Sequence, residues 1–130
     1  MSFRLEREKT ELTPYVLIDE EKGYMRFEGE CYHSDVVSFF ADISAWLAGF
    51  LASDFDAFTF DCALRYFNSS TVKLLLNLLL DMDNSANSRN ITVNWITDKD
   101  DSLIIECGED FQSDIKHMKF CIITKEGSGR

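Results

Sequence analysis

The segment Asn68-Ser69-Ser70-Thr71 sets three consecutive hydroxyls behind an asparagine, at the point where an alternating apolar run gives way to a leucine-rich one. A strand running into a helix there would place the hydroxyls beside backbone amides that lack an intrahelical acceptor, at the positive end of the helix dipole. Two chemistries fit this placement. Asn68 or Ser69 can act purely as a helix cap, worth about 1 kcal/mol. Alternatively, one hydroxyl accepts a phosphoryl group, whose charge of roughly −1.5 to −2 would be tolerated beside free amides while altering the surface sharply. Capping needs one polar residue and four stand here in a row, so both readings remain open.

Other candidate clusters are poorer. Cys31 and His33 would offer two metal ligands from one loop, but a zinc site takes three or four, and no others are recruited by spacing; surface loop residues are the simpler expectation. The acidic set Asp98, Asp100, Asp101, Glu106, Glu109 and Asp110 lacks the loop order of a calcium site and reads as a solvated face or a partner-binding one. A small hydrolase built on these acids with Asn68 or Ser69 would need a base and an oxyanion donor, and neither is identifiable. No phosphate-cradling glycine loop, dinucleotide fingerprint or nucleophile elbow occurs. The expectation is a protein without enzymatic activity, metal or cofactor.

Composition narrows the partners. With 130 residues, 45% of them hydrophobic, one domain with a substantial core is expected. The net charge of −10 argues against nucleic acid and anionic membranes, both of which bind through basic stripes. The four cysteines are widely spaced and form no C-x-x-C pair, so they are expected to be reduced thiols, which suits a cytoplasmic protein. The charged stretch Met1 to Lys9 introduces no signal peptide, and Leu74 to Leu80, broken by Asn77, is too short to span a bilayer.

The elements that must position the Asn68 segment can be read from hydrophobic period. Tyr15 to Ile18 and Tyr24 to Glu28 form a hairpin across Asp19 to Gly23. Val36, Phe40, Ile43, Leu47 and Phe50, behind Ser34-Asp35, predict one amphipathic helix to about Ala52. Asp56 to Phe67 alternates as a strand, with Phe58, Phe60, Cys62, Leu64 and Tyr66 on one face and Thr59, Asp61, Ala63 and Arg65 on the other. Ser70 to Met82 is a helix with leucines on nearly every side, which leaves Lys73, Asn77 and Asp81 as an exposed stripe. Asp83 to Asn90 has loop composition, Ile91 to Ile96 is a strand, Asp100 to Phe111 a weaker acidic helix, and Phe120 to Ile123 a last strand. Phe60, Leu64, Leu75, Leu79, Val93 and Trp95 should share one core.

Helices between strands imply parallel, right-handed crossovers, so the fold class is α/β, a single-domain mixed sheet of about five strands. Its layout resembles the anti-sigma-factor-antagonist (STAS) domains, an analogy that does not assign function. The expected organisation is an N-terminal extension over 1–9, one domain over 10–125 and a flexible tail over 126–130.

Across Thr10 to Thr124 the chain resembles the SiaC family of bacterial regulatory phosphoproteins. The resemblance is carried by Thr13-Pro14, Gly29-Glu30-Cys31-Tyr32, Phe39-Phe40 with Trp46-Leu47, and Tyr66-Phe67-Asn68-Ser69-Ser70. Val93-Asn94-Trp95, Asp100-Asp101 and Gly108-Glu109-Asp110-Phe111 follow in the same order. It implies a partner switch: a dedicated Ser/Thr kinase modifies the protein and a PP2C-type phosphatase restores it. The unmodified form then binds and stimulates a diguanylate cyclase, acting on cyclic di-GMP and biofilm or aggregation behaviour. The family's phosphoacceptor threonine follows the asparagine of its Tyr-Phe/Leu-Asn motif, which implies Ser69 here, with Tyr66, Phe67 and Asn68 as the switch motif and Ser70 and Thr71 as alternatives. Where the family has Ser-Tyr-Pro-Glu-Asn, this chain has Cys31-Tyr32-His33-Ser34-Asp35, and the missing proline loosens the helix entry. The competing expectation is a constitutive interaction or oligomerisation domain that uses the leucine-rich helix, with Ser69 merely a cap.

Overall fold

In the computed structural model, which describes residues 2–86 and 89–126, the chain runs as β1 (Arg4–Arg7), β2 (Tyr15–Asp19), β3 (Tyr24–Cys31), α1 (Val36–Phe39) and α2 (Ala41–Leu51). It continues as β4 (Ala57–Phe67), α3 (Ser69–Ser85), β5 (Asn90–Asp98), α4 (Ser102–Asp114) and β6 (Lys119–Lys125). The sheet has six strands in sequence order, β1 to β6, one more than the sequence suggested. The additional strand is β1, within the segment read as an extension; it pairs antiparallel with β2, Leu5 opposite Ile18.

β2 and β3 form the expected antiparallel hairpin. Its turn needs Gly23, which has φ +63° and whose Cβ would stand 2.4 Å from the Ala57 carbonyl oxygen. From β3 onward every neighbour is parallel. Each crossover helix touches the next, α1 and α2 against α3 and α3 against α4, so all lie on one face of the sheet. Among the described residues the opposite face carries no helix.

The covered face holds the core: Phe27, Phe58, Phe60, Leu64, Val93 and Trp95 meet Phe40, Ile43, Leu47, Leu75 and Leu79, all nearly inaccessible. The expected core set is therefore buried together, and Lys73, Asn77 and Asp81 are exposed. α3 is covered by the sheet and by the helices on either side, which buries Leu75, Leu78, Leu79 and Met82.

Two departures from expectation change the packing. The single helix predicted to Ala52 is broken at Phe40, where φ −98°, ψ 6° leaves the helical region and turns the ring into the core, 5.0 Å from Phe27. The predicted loop from Asp83 is helical through Ser85. Asp83 is buried and accepts from the amides of Lys116 (3.0 Å), His117 (2.8 Å) and Met118 (2.9 Å), fastening the turn before β6. Of that predicted loop, Asn87 and Ser88 lie outside the described residues, as do 127–130 of the predicted tail. Among the described residues no helix is long and apolar enough to cross a membrane.

Candidate functional site

The β4–α3 junction is shaped by a bulge. Gly29 pairs with Leu64 and Glu30 with Tyr66, so Arg65 is an extra residue in β4. An added residue reverses the faces beyond it. Tyr66, predicted to face the core, is 54% exposed, and Phe67 instead turns inward, edge-on to Trp95 at 6.2 Å. The alternation that holds from Phe58 to Leu64 cannot reveal this, because the slip is made with the partner strand at Gly29, whose φ is +112°.

Tyr66 stacks on Tyr32, with ring centroids 6.4 Å apart and planes at 15°. Tyr32 follows β3 directly, its amide donating to the Leu12 carbonyl at 2.8 Å. Partial desolvation, Glu30 and Tyr66 push its hydroxyl pKa upward. Two tyrosines, both more than two-fifths exposed, form an aromatic pair, with Tyr66 two residues ahead of Asn68 in the chain.

Asn68 is the N-cap of α3, with extended φ −93°, ψ 176°. Its Oδ1 accepts from the Thr71 amide at 3.0 Å and from the Thr71 hydroxyl at 2.9 Å, while its Nδ2 reaches toward the His33 carbonyl at 3.5 Å. Thr71 is fully buried, its Oγ1 also 3.4 Å from the Cys31 carbonyl and sulfur. Its hydroxyl is therefore the least accessible of the three in the segment. Ser69 and Ser70 are exposed at the first two helical positions, where the amides have no intrahelical acceptor.

The other sequence candidates do not converge on a site. Cys31 lies in the core rather than on the surface, and burial pushes its thiol pKa up. The Nδ1 of His33 accepts from the Asp35 amide at 2.9 Å, so the two residues do not form a ligand pair. The acidic helix begins at Ser102, with Asp101 as its cap, and Glu106, Glu109 and Asp110 project outward from α4. Among the described residues no three potential metal ligands come together. At α1 the cap is Asp35, its pKa lowered by hydrogen bonds from the Ser38 hydroxyl and then the Ser38 amide. The starts of α1, α3 and α4 lie together along the carboxyl edge of the parallel strands, the usual ligand-facing edge of such sheets.

The chain has known relatives. It is similar to apo-SiaC from Pseudomonas aeruginosa, with a TM-score of 0.86 at 24% identity over 94% of this chain and 99% of that one. It is equally similar to the structure of diguanylate cyclase SiaD in complex with its activator SiaC from the same organism, with a TM-score of 0.87, 24% identity, and coverage of 93% and 99%. A protein named PA14_02130, from Pseudomonas aeruginosa strain UCBPP-PA14, is 26% identical over 107 residues, 81% of this chain and 84% of that protein. The family model described as SiaC family regulatory phosphoprotein matches residues 7–125, and the chain belongs to that family.

Proposed function

We propose that this protein is a phosphorylation-controlled binding module without catalytic activity, whose unmodified form docks on a diguanylate cyclase and stimulates it. One observation carries the reading: Ser69 is exposed at the amide-rich start of α3, beside the exposed Tyr32–Tyr66 pair. The regulatory-phosphoprotein family and the SiaC–SiaD complex support it. A Ser/Thr kinase adds the phosphoryl group and a PP2C-type phosphatase removes it. The output is cyclic di-GMP, and through it biofilm or aggregation. The setting is the cytoplasm, where the kinase has ATP and the four unbridged cysteines stay reduced.

The physics of the switch is local. A phosphate on Ser69 meets the free amides of the first helical turn, so the fold accepts it. A partner seated on the tyrosine pair would have to strip water from that dianion, and a buried charge without a counter-ion costs several kcal/mol. Docking is lost while the domain stays folded.

Incubation with the cognate kinase and ATP, followed by intact-mass measurement, should show one added phosphate that Ser69→Ala removes. Ser69→Ala should still activate the cyclase, while Ser69→Asp, with one charge instead of nearly two, should lower activation about tenfold. An unmodified wild type under conditions where the kinase is active would overturn the switch and leave a constitutive binder. Modification that persists in Ser69→Ala but vanishes in Ser70→Ala would move the acceptor by one residue.

A further inference from the structure

A cavity of about 480 Å³ opens on the face of the sheet that carries no helix. Toward the amino ends of the parallel strands this face is filled by a bonded layer. Asp61 accepts from the Tyr24 hydroxyl at 2.7 Å and from Asn94 at 2.8 Å, and Arg26 lies 3.3 Å away. Toward the carboxyl ends the side chains shrink to Gly29 and Ala63, with Ile96 alongside, and this loss of bulk makes the floor. Tyr15 forms one wall, its hydroxyl already committed to Glu6 at 2.6 Å.

Three cations and three acids line the cavity, which makes it formally neutral in an acidic chain. Lys9, Arg65 and Lys125 all line the cavity, and none makes an ion pair or side-chain hydrogen bond among the described residues. Of the acids at the rim, Glu28 is held by Arg26 Nε at 2.9 Å, which leaves Glu8 and Asp98. Uncommitted cations therefore outnumber uncommitted acids in a chain of net charge −10. Arg65 follows Ala63 on this face by alternation, and as the bulge residue of β4 it is the last before the slip that turns Tyr66 outward. A volume near 500 Å³ with an apolar floor and a few polar groups is the size and character of a small-molecule site.

We propose that this cavity binds a small organic anion, its carboxylate or phosphate held by Arg65 and Lys125 and its flat apolar body resting on Gly29, Ala63 and Ile96. A guanidinium supplies the forked, charge-assisted geometry that either anion accepts. The site lies on the other side of the sheet from the helix layer and does not depend on Ser69 being modified.

The test is an amide-shift titration of the full chain with phenyl phosphate, benzoate, inorganic phosphate and benzylamine. Phenyl phosphate or benzoate should shift the amides around Gly29, Ala63 and Ile96 saturably, at least about tenfold more tightly than inorganic phosphate, and their ranking identifies which anion the site prefers. Arg65→Gln combined with Lys125→Gln should weaken this at least about tenfold, while Lys73→Gln on α3 leaves it unchanged. Both cavity side chains lack partners that hold the fold together, so the double variant should remain folded, as its amide spectrum will report. Saturable binding of benzylamine instead, shifts confined to Ser69 and Ser70 at the α3 terminus, or no saturable shift with either aromatic anion would each overturn the proposal.

Discussion

The β4–α3 and β5–α4 junctions are built to one plan. Each ends a parallel strand, passes through an Asx cap whose Oδ1 accepts the third helical amide, Asn68 from Thr71 at 3.0 Å and Asp101 from Ile104 at 3.2 Å, and presents an exposed serine at the first helical position. They differ in charge and in what lies beneath. Asn68 is neutral and covers a buried hydroxyl, whereas Asp101 is charged, stands beside Asp100, and covers the apolar Ile104. Under the proposed switch, a dianion on Ser69 would meet a neutral cap. At Ser102 the same helix dipole is already engaged by a carboxylate, and like charge opposes a second. The comparison teaches that how well a helix start accommodates added negative charge depends on what its cap leaves free, not on the serine alone.

The largest effect should come from unseating α4. A Cβ on Gly108 would stand 2.4 Å from Trp95 Cδ1 and 2.6 Å from its Nε1, and that indole nitrogen donates to the Ile104 carbonyl at 2.9 Å. Gly108→Ala should destabilise the fold by about 1–3 kcal/mol in denaturant or thermal unfolding, since overpacked cores lose that much. A stable Gly108→Ala protein would mean that α4 rides loosely on β5 and that the two junctions differ in rigidity as well as charge.

Next is the brace at the far end of α3. Burial pushes the Asp83 carboxyl up, but the amides of Met118, His117 and Lys116 outweigh it and hold its pKa below the ordinary value. A carboxyl depressed on folding stabilises above its unfolded pKa of about 3.9, and the contribution disappears as pH falls through the lower folded value. Asp83→Asn should be clearly less stable than wild type at neutral pH and converge on it below about pH 4. An acid-insensitive gap between the two unfolding curves would show that the side chain works by shape rather than by charge.

How much of this was legible in the sequence depends on the range of the interaction. The phase of α3, with Lys73 outward and Leu75 and Leu79 inward, is written in a local period and holds. So does β4 as far as Leu64. The role of Asp83 is not visible in its loop-like local composition, because its partners are more than thirty residues away. β1, only four residues with Leu5 as its one large apolar side chain, carries too short a pattern to register. At the site, the hydroxyl segment and its cap were readable, but the outward Tyr66 and the buried Thr71 were not, because both follow from how β3 pairs with β4 and packs against α3.

Removing the caps tests the junctions directly. Asp101→Ala gives up one cap hydrogen bond and should cost about 1 kcal/mol. Asn68→Ala gives up the same cap and also leaves the buried Thr71 hydroxyl without its 2.9 Å partner, so it should cost about 1 kcal/mol more, the lower end of the penalty for stranding a buried polar group. Chemical denaturation of the two single variants measures the difference. Equal losses would mean that Cys31 satisfies Thr71 as well as Asn68 does.

The smallest effect separates the two serines. Ser69→Asp adds the first carboxylate to the start of α3, where no acidic residue occupies the first turn, and should raise stability by about 0.3–1 kcal/mol at low salt. Ser102→Asp adds a carboxylate next to Asp101 and near Asp100, so repulsion between neighbours offsets the dipole and the net change should be near zero or unfavourable. Raising the salt should shrink both changes toward zero, because exposed charges are screened over roughly 10 Å at 0.1 M. Thermal melts of the two variants in low and moderate salt decide it. If Ser102→Asp were stabilised as much as Ser69→Asp, the charged cap would not be what distinguishes the junctions. The proposed choice of Ser69 would then have to rest on the exposed Tyr32–Tyr66 pair that precedes it in the chain.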